Sequence, residues 1–131
     1  MRFTYSQAYQ HLAVRNRYGE KDLTEKFHVI AILRDFFGLH ALTGEILMID
    51  NESCRLPDLL IKNVIPSIVI ELDGFYHQWN EPIAKLDKDV NRDSDYQSIG
   101  VKLIIINEED TLGYTTDKVI QVLERNGLHQ L

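Results

Sequence analysis

The sequence predicts an α/β domain: a mixed four-stranded sheet flanked by helices, in the order α-α-β-β-β-α-β-α. Three observations predict it. Apolar residues recur at helical spacing in the N-terminal third and again near the C-terminus. Two runs, Ile68-Val69-Ile70 and Leu103-Ile104-Ile105-Ile106, are continuous rather than alternating, as in strands covered on both faces. A charged helical stretch separates those runs, which is the arrangement of a crossover within one sheet.

The elements follow in order. Residues 5–16 (YSQAYQHLAVRN) read as a basic helix with Ser6 a candidate cap, broken at Tyr18-Gly19. In the next helix Asp22 or Thr24 is the cap. Phe27, Ile30, Ala31, Leu33 and Phe37 form its apolar stripe, and Gly38 its stop. Ile46–Asp50 reads as a strand, followed by the polar turn Asn51-Glu52-Ser53. Leu56–Lys62 and Ser67–Asp73 read as two more strands, joined through Asn63–Pro66 as a hairpin. Glu81–Ser98 is the crossover helix, with Ile83, Leu86, Val90 and Ile99 as its stripe and Gly100 as its end. Val101–Asn107 is the last strand, and Thr116–Arg125, ended by Gly127, the last helix.

Length and composition bound the function. A chain of 131 residues predicts one domain, residues 1–131 with a core of about 22–127. With 44% hydrophobic and 26% charged residues it is not a disordered chain. No apolar run approaches the roughly 18 residues of a membrane span, so no membrane partner is expected. The N-terminus lacks an apolar signal core, and the single cysteine, Cys54, excludes an internal disulfide and a cysteine zinc site. The expected location is therefore intracellular: cytoplasmic, and nucleoid-associated if prokaryotic. The net charge of −6 argues against bulk binding of nucleic acid by the whole surface. Residues 1–34, however, hold six Lys and Arg against three Asp and Glu, whereas the rest hold eight against 17. That asymmetry suits a basic end that meets a polyanion, and equally suits ordinary surface charge.

The candidate chemistry sits at the strand ends. Asp58 precedes the apolar Leu59-Leu60-Ile61, and Glu71 and Asp73 close the strand SIVIELDG. Glu71 and Asp73 are two apart and share a face. Asp58 lies 13 residues before Glu71, which suits adjacent strands of one hairpin. Three carboxylates meeting at one edge repel, and a divalent cation is the usual compensation. Oxygen ligands select Mg²⁺, Mn²⁺ or Ca²⁺. His77 follows Gly74, whose freedom allows the chain to turn the imidazole back towards the carboxylates as a base. Carboxylates, a hard cation and a base fit phosphodiester hydrolysis.

This ordered set resembles the PD-(D/E)XK nuclease superfamily. More narrowly it is similar to the very-short-patch-repair (Vsr-like) endonucleases and the related nuclease domains of some homing endonucleases. The resemblance runs over residues 22–109. It rests on Leu56-Pro57-Asp58-Leu59-Leu60-Ile61, on Val69-Ile70-Glu71-Leu72-Asp73-Gly74-Phe75-Tyr76-His77, on Asp89-Val90-Asn91-Arg92-Asp93 followed by Ser98–Ile105, and on Glu25 in the second helix. It implies a restriction-endonuclease-like fold and Mg²⁺ (or Mn²⁺) held by Asp58, by Glu71 or Asp73, and by the Leu72 backbone carbonyl. It further implies His77 as the base or as the residue that orients water, Glu25 as a supporting carboxylate, and Arg92 and Asp93 beside the cleft. Arg92 then either faces the scissile phosphate or pairs with Asp89.

Two departures stand out. Asp73 occupies the place of the usual Glu-x-Lys lysine, leaving His77, a second metal, or a lysine from elsewhere (Lys62, Lys88) to compensate. The Vsr-like zinc site is also missing, so mismatch specificity is not implied. Phe75, Tyr76 and Trp79 either wedge between DNA bases or pack under a loop. The expected function is a Mg²⁺-dependent DNA endonuclease with Arg15, Arg17, Lys26, Arg92 and Trp79 on the DNA, acting as a homodimer, with a further DNA-binding domain, or as a nickase. The alternative is a catalytically inactive module of the same fold that binds nucleic acid or a protein.

Overall fold

The computed structural model describes residues 2–18, 23–74 and 91–131. The chain opens on β1 (Arg2–Phe3), which runs into α1 (Tyr5–Tyr18). The first turn of α1 is closed reciprocally. The Gln7 amide donates to Thr4 Oγ1 (3.2 Å) and the Thr4 amide donates to Gln7 Oε1 (3.0 Å). This is a capping box, so Thr4 caps the helix and Ser6, the expected cap, lies inside it. Next comes α2 (Leu23–Phe37), with Val29, Ile32, Leu33 and Phe37 buried. Gly38 ends it at φ +65°, a left-handed turn that brings the Leu39 amide back to the Leu33 carbonyl (3.0 Å).

Among the described residues the expected four-stranded sheet is instead two three-stranded sheets. In the smaller, β2 (Leu47–Met48) and β1 flank β3 (Cys54–Arg55), all antiparallel. Asp50 explains why Ile46–Asp50 leaves the main sheet. Its Oδ1 accepts the amides of Glu52 and Ser53 (2.8 Å each), a tight turn that folds β2 back onto β3. Pro57, which has no amide to give a ladder, stands where the expected strand Leu56–Lys62 is interrupted. Only β4 (Leu59–Ile61) joins the main sheet.

That sheet has the order β4-β5-β6, with β5 (Ile68–Asp73) central and β6 (Lys102–Asn107) at one side. β4 and β5 are antiparallel, Leu59 opposite Ile70 and Ile61 opposite Ile68. β5 and β6 are parallel, Ile68 opposite Lys102 through Asp73 opposite Asn107. On one face Leu59, Ile61, Ile68, Ile70, Ile104 and Ile106 pack against α2 and the final helix, α4 (Thr116–Arg125). On the other, Leu60 and Val69 pack under Tyr96 of α3 (helical over 91–98). Both faces of β5 are thus covered, which is why its sequence is continuously apolar. Among the described residues no helix is long and apolar enough to cross a membrane.

Candidate active site

The site is set by strand register. Continuing the β4/β5 pairing by one residue places Asp58 opposite Glu71. The Asp58 amide donates to Glu71 Oε2 (3.3 Å), and Asp58 Oδ2 accepts the Leu72 amide (2.8 Å). Amide and carbonyl of one strand residue point to the same side, so the Leu72 carbonyl also faces the Asp58 side. The other carboxylate oxygen, Asp58 Oδ1, lies 3.5 Å from Lys26 Nζ. Lys26 is only 2% exposed. A buried ammonium is tolerated only with such a partner. It brings α2 and the start of β4 together at one point.

Glu71 is the carboxylate turned fully inward. Burial, and then the negative charge of Asp58, push its carboxyl up to about 8. Its Oε1 accepts the Tyr96 hydroxyl (2.9 Å). Glu71 and Asp73 do share a face, but they part company at their tips. Arg92 grips Asp73 with two parallel bonds, Nη1 to Oδ1 and Nη2 to Oδ2, both 3.1 Å. Arg92 and Tyr96 are four apart on α3, so one helix face serves both acidic residues.

Tyr96 is itself held from behind. The Arg55 guanidinium stands over its ring, 5.7 Å from the centroid. Arg55 Nε donates to Asp95 Oδ2 (2.6 Å), and Asp95 also receives Arg2. Burial pushes the Asp95 carboxyl up, but Arg2 and Arg55 outweigh it and hold it below the usual range. A chain of polar contacts therefore runs Arg2–Asp95–Arg55–Tyr96–Glu71–Asp58–Lys26, from the small sheet to α2.

Of the expected site residues, Asp58, Glu71 and the Leu72 backbone come together. Asp73 lies on the same face but is engaged by Arg92; Asp89, the other expected partner of Arg92, lies outside the described residues. Asp93 is exposed on α3 and lines a shallow groove with Gln97, Leu103 and Ile105. Glu25 is half-buried, and its Oε2 is buried with no hydrogen-bond partner among the described residues. Lys26, expected on a phosphate at the surface, is buried against Asp58 instead. Lys62 does not approach the site: it pairs with Glu45 (3.0 Å) on the surface. Phe75, Tyr76, His77, Trp79 and Lys88 lie outside the described residues, as do the side chains of Arg15 and Arg17.

Asp58, Glu71 and the Leu72 carbonyl are all-oxygen donors and fit a hard divalent cation. Among the described residues no group of three or more His, Cys, Asp and Glu side chains assembles into a metal cage. Lys26 is the residue that sequence reasoning misplaced. The signal was present: residues 26, 29 and 33 share one helix stripe, and a lysine on a core-facing stripe calls for a buried partner. The Tyr96 and Arg55 roles had no such signal, because they depend on the packing of α3 over two sheets.

Comparison with protein-family models, with curated proteins and with solved structures finds no match to this chain.

Proposed function

We propose that this chain is a metal-dependent phosphodiester hydrolase of restriction-endonuclease-like fold, acting on DNA as an endonuclease. The observation that carries the reading is the pairing of Asp58 with Glu71 at one strand end, with the buried Lys26 ammonium on the outer side of Asp58. Asp58, Glu71 and the Leu72 carbonyl would hold Mg²⁺ or Mn²⁺. Such an ion supplies Lewis-acid activation of water and neutralises charge on a phosphate. Lys26 answers the departure at position 73. Asp73 stands where a lysine is expected, and α2 brings a cation to the Asp58 carboxylate from another part of the chain. There it would stabilise negative charge that develops on the phosphoryl oxygens. Tyr96 fixes one oxygen of Glu71, leaving Oε2 turned towards Asp58. DNA contact by Arg15, Arg17 and Trp79, and help from Glu25 and His77, belong to the same proposal.

One observation favours a second reading. Asp73 and Arg92 neutralise each other where a nuclease usually keeps a free cation, as a binding module that does not cut would do.

Plasmid cleavage separates the two. Wild type is expected to convert supercoiled DNA to open-circle or linear form in Mg²⁺ or Mn²⁺ and not in EDTA. Asp58→Ala is expected to abolish this with an unchanged circular dichroism spectrum. Mg²⁺ or Mn²⁺ should also raise the melting temperature of wild type but not of Asp58→Asn. Absence of cleavage of supercoiled, single-stranded and branched DNA by wild type, with no thermal shift, would transfer the case to the binding module. Undiminished cleavage by Asp58→Ala would refute the site.

A further inference from the structure

We infer that Arg92 keeps Asp73 out of the coordination sphere of the metal that Asp58 and Glu71 would hold, and that this clamp sets the site's preference for Mg²⁺ over Ca²⁺. The inference rests on the metal-dependent reading above and makes Arg92 a positioning residue within it.

Asp58, Glu71 and Asp73 stand at one end of the sheet, and α3 treats the two acids of β5 differently. Tyr96 donates to Glu71 Oε1 (2.9 Å) and leaves Oε2 beside the Asp58 amide (3.3 Å). Arg92, four residues earlier, takes both oxygens of Asp73 at 3.1 Å each. The Arg92 and Asp73 side chains are only 10% and 14% exposed, so salt and water screen the pair little. A planar fork on both oxygens occupies the lone pairs between them, the side from which a carboxylate chelates a cation. The guanidinium charge also repels a divalent ion that approaches there. The strand end is fixed as well. Asp73 pairs opposite Asn107, and its carbonyl accepts the Glu108 amide (2.9 Å). Its carboxylate therefore reaches the metal only by leaving Arg92.

Donor number then decides the ion. Asp58, Glu71 Oε2 and the Leu72 carbonyl leave several positions to water and to a phosphate oxygen. Mg²⁺ binds in this way, with one or two carboxylates, near-octahedral geometry and several retained waters. Ca²⁺ takes about 6–8 oxygens in a flexible shell, often with a bidentate carboxylate, and its affinity follows the number of charged ligands. A released Asp73 carboxylate, on the same strand face as Glu71, supplies such donors. Arg92 withholds them.

Calorimetric titration with Mg²⁺ and with Ca²⁺ tests this without a cleavage assay. The quantity read is the ratio of the two dissociation constants. A change of charge near the site alters the binding of both divalent ions alike, whereas a new ligand does not. Arg92→Met is expected to shift the ratio towards Ca²⁺ by about tenfold, the lower end of what a metal's outer partners usually contribute. Adding Asp73→Asn to Arg92→Met is expected to restore the wild-type ratio, since the pair is then removed with no charge left behind. Wild type supplies a reading that no folding defect distorts. On saturation with Mg²⁺ the carboxyl carbon NMR signals of Asp58 and Glu71 should move, and that of Asp73 should not. A moving Asp73 signal overturns the clamp and leaves the metal reading intact. So does an unchanged ratio in Arg92→Met with a native circular dichroism spectrum. A wild type that binds neither ion overturns the metal reading, and the clamp with it.

Discussion

A buried lysine is costly unless its partner is well placed, so the position of Lys26 is informative in itself. Lys26 Nζ is 3.5 Å from Asp58 Oδ1, while the Asp58 side chain remains 24% exposed. That exposure lets water share the Asp58 charge and weakens the pair as a source of stability. Lys26→Met keeps the length and apolar stem and removes the ammonium. It is expected to change the melting temperature little and to lower cleavage by about 100-fold or more, the usual loss when a charge-stabilising donor is removed. Cleavage kinetics beside thermal melting check this, and full activity in Lys26→Met would make the residue structural. Glu71 gives a pH signature. Its carboxyl is raised from 4.5 to about 8 by burial and then by Asp58. A raised folded-state value means the folded chain holds the proton more tightly than the unfolded chain. The contribution is complete below 4.5 and is lost as pH rises through about 8. Within that window each pH unit is worth up to about 1.4 kcal/mol. Wild type should therefore lose stability relative to Glu71→Gln between pH 5 and 8, as read by urea melts of both. Parallel curves would show that Glu71 titrates normally.

At the scale of elements, the start of α1 distinguishes two candidate caps. Thr4 exchanges hydrogen bonds with Gln7, whereas Ser6 sits within the first turn. Thr4→Ala is expected to cost about 1 kcal/mol and Ser6→Ala close to nothing. Equal losses in chemical denaturation would refute the capping box. The example shows what was legible. The central strand β5 and the stop at Gly38 are written in local pattern, because burial on two faces and a left-handed turn each restrict residue type. β6 carries a like apolar run at the side of the sheet, yet its Ile105 is 37% exposed, so that run does not mean cover on both faces. The spacing of 13 between Asp58 and Glu71 carried the hairpin register, and with it the centre of the site. What was not legible depended on partners remote in sequence. Pro57 and the Asp50 turn are visible as breakers, yet nothing local says that the segment before Pro57 leaves for another sheet with β1. Lys26 reads as a surface cation until Asp58 is placed above it. Tyr96 reads as core until its hydroxyl is placed on Glu71.

At the scale of the molecule, two sheets share one buried ionic joint. Arg55, in the centre of the small sheet, is 2% exposed, and Asp95, on the helix that covers the main sheet, has a side chain 4% exposed. Arg2 adds the N-terminal strand to the same carboxylate. Removing the shared acid leaves a buried guanidinium uncompensated, the situation in which a broken pair costs about 3–5 kcal/mol. Asp95→Ala is therefore expected to lower stability by that order. A joint that also positions the site should do more than destabilise. Arg55 stacks on Tyr96, and Tyr96 holds Glu71, so a shift of Arg55 reaches the acidic pair through two contacts. Arg55→Met, which keeps the packing volume and removes both the stranded charge and the stacking cation, should recover much of the stability lost in Asp95→Ala when the two are combined. Paired substitutions that merely removed independent contacts would instead add their losses. Urea denaturation of the two single variants and the double variant distinguishes these outcomes. Additive losses would mean that the two sheets are joined by packing alone and that the ionic chain behind Glu71 is incidental to it.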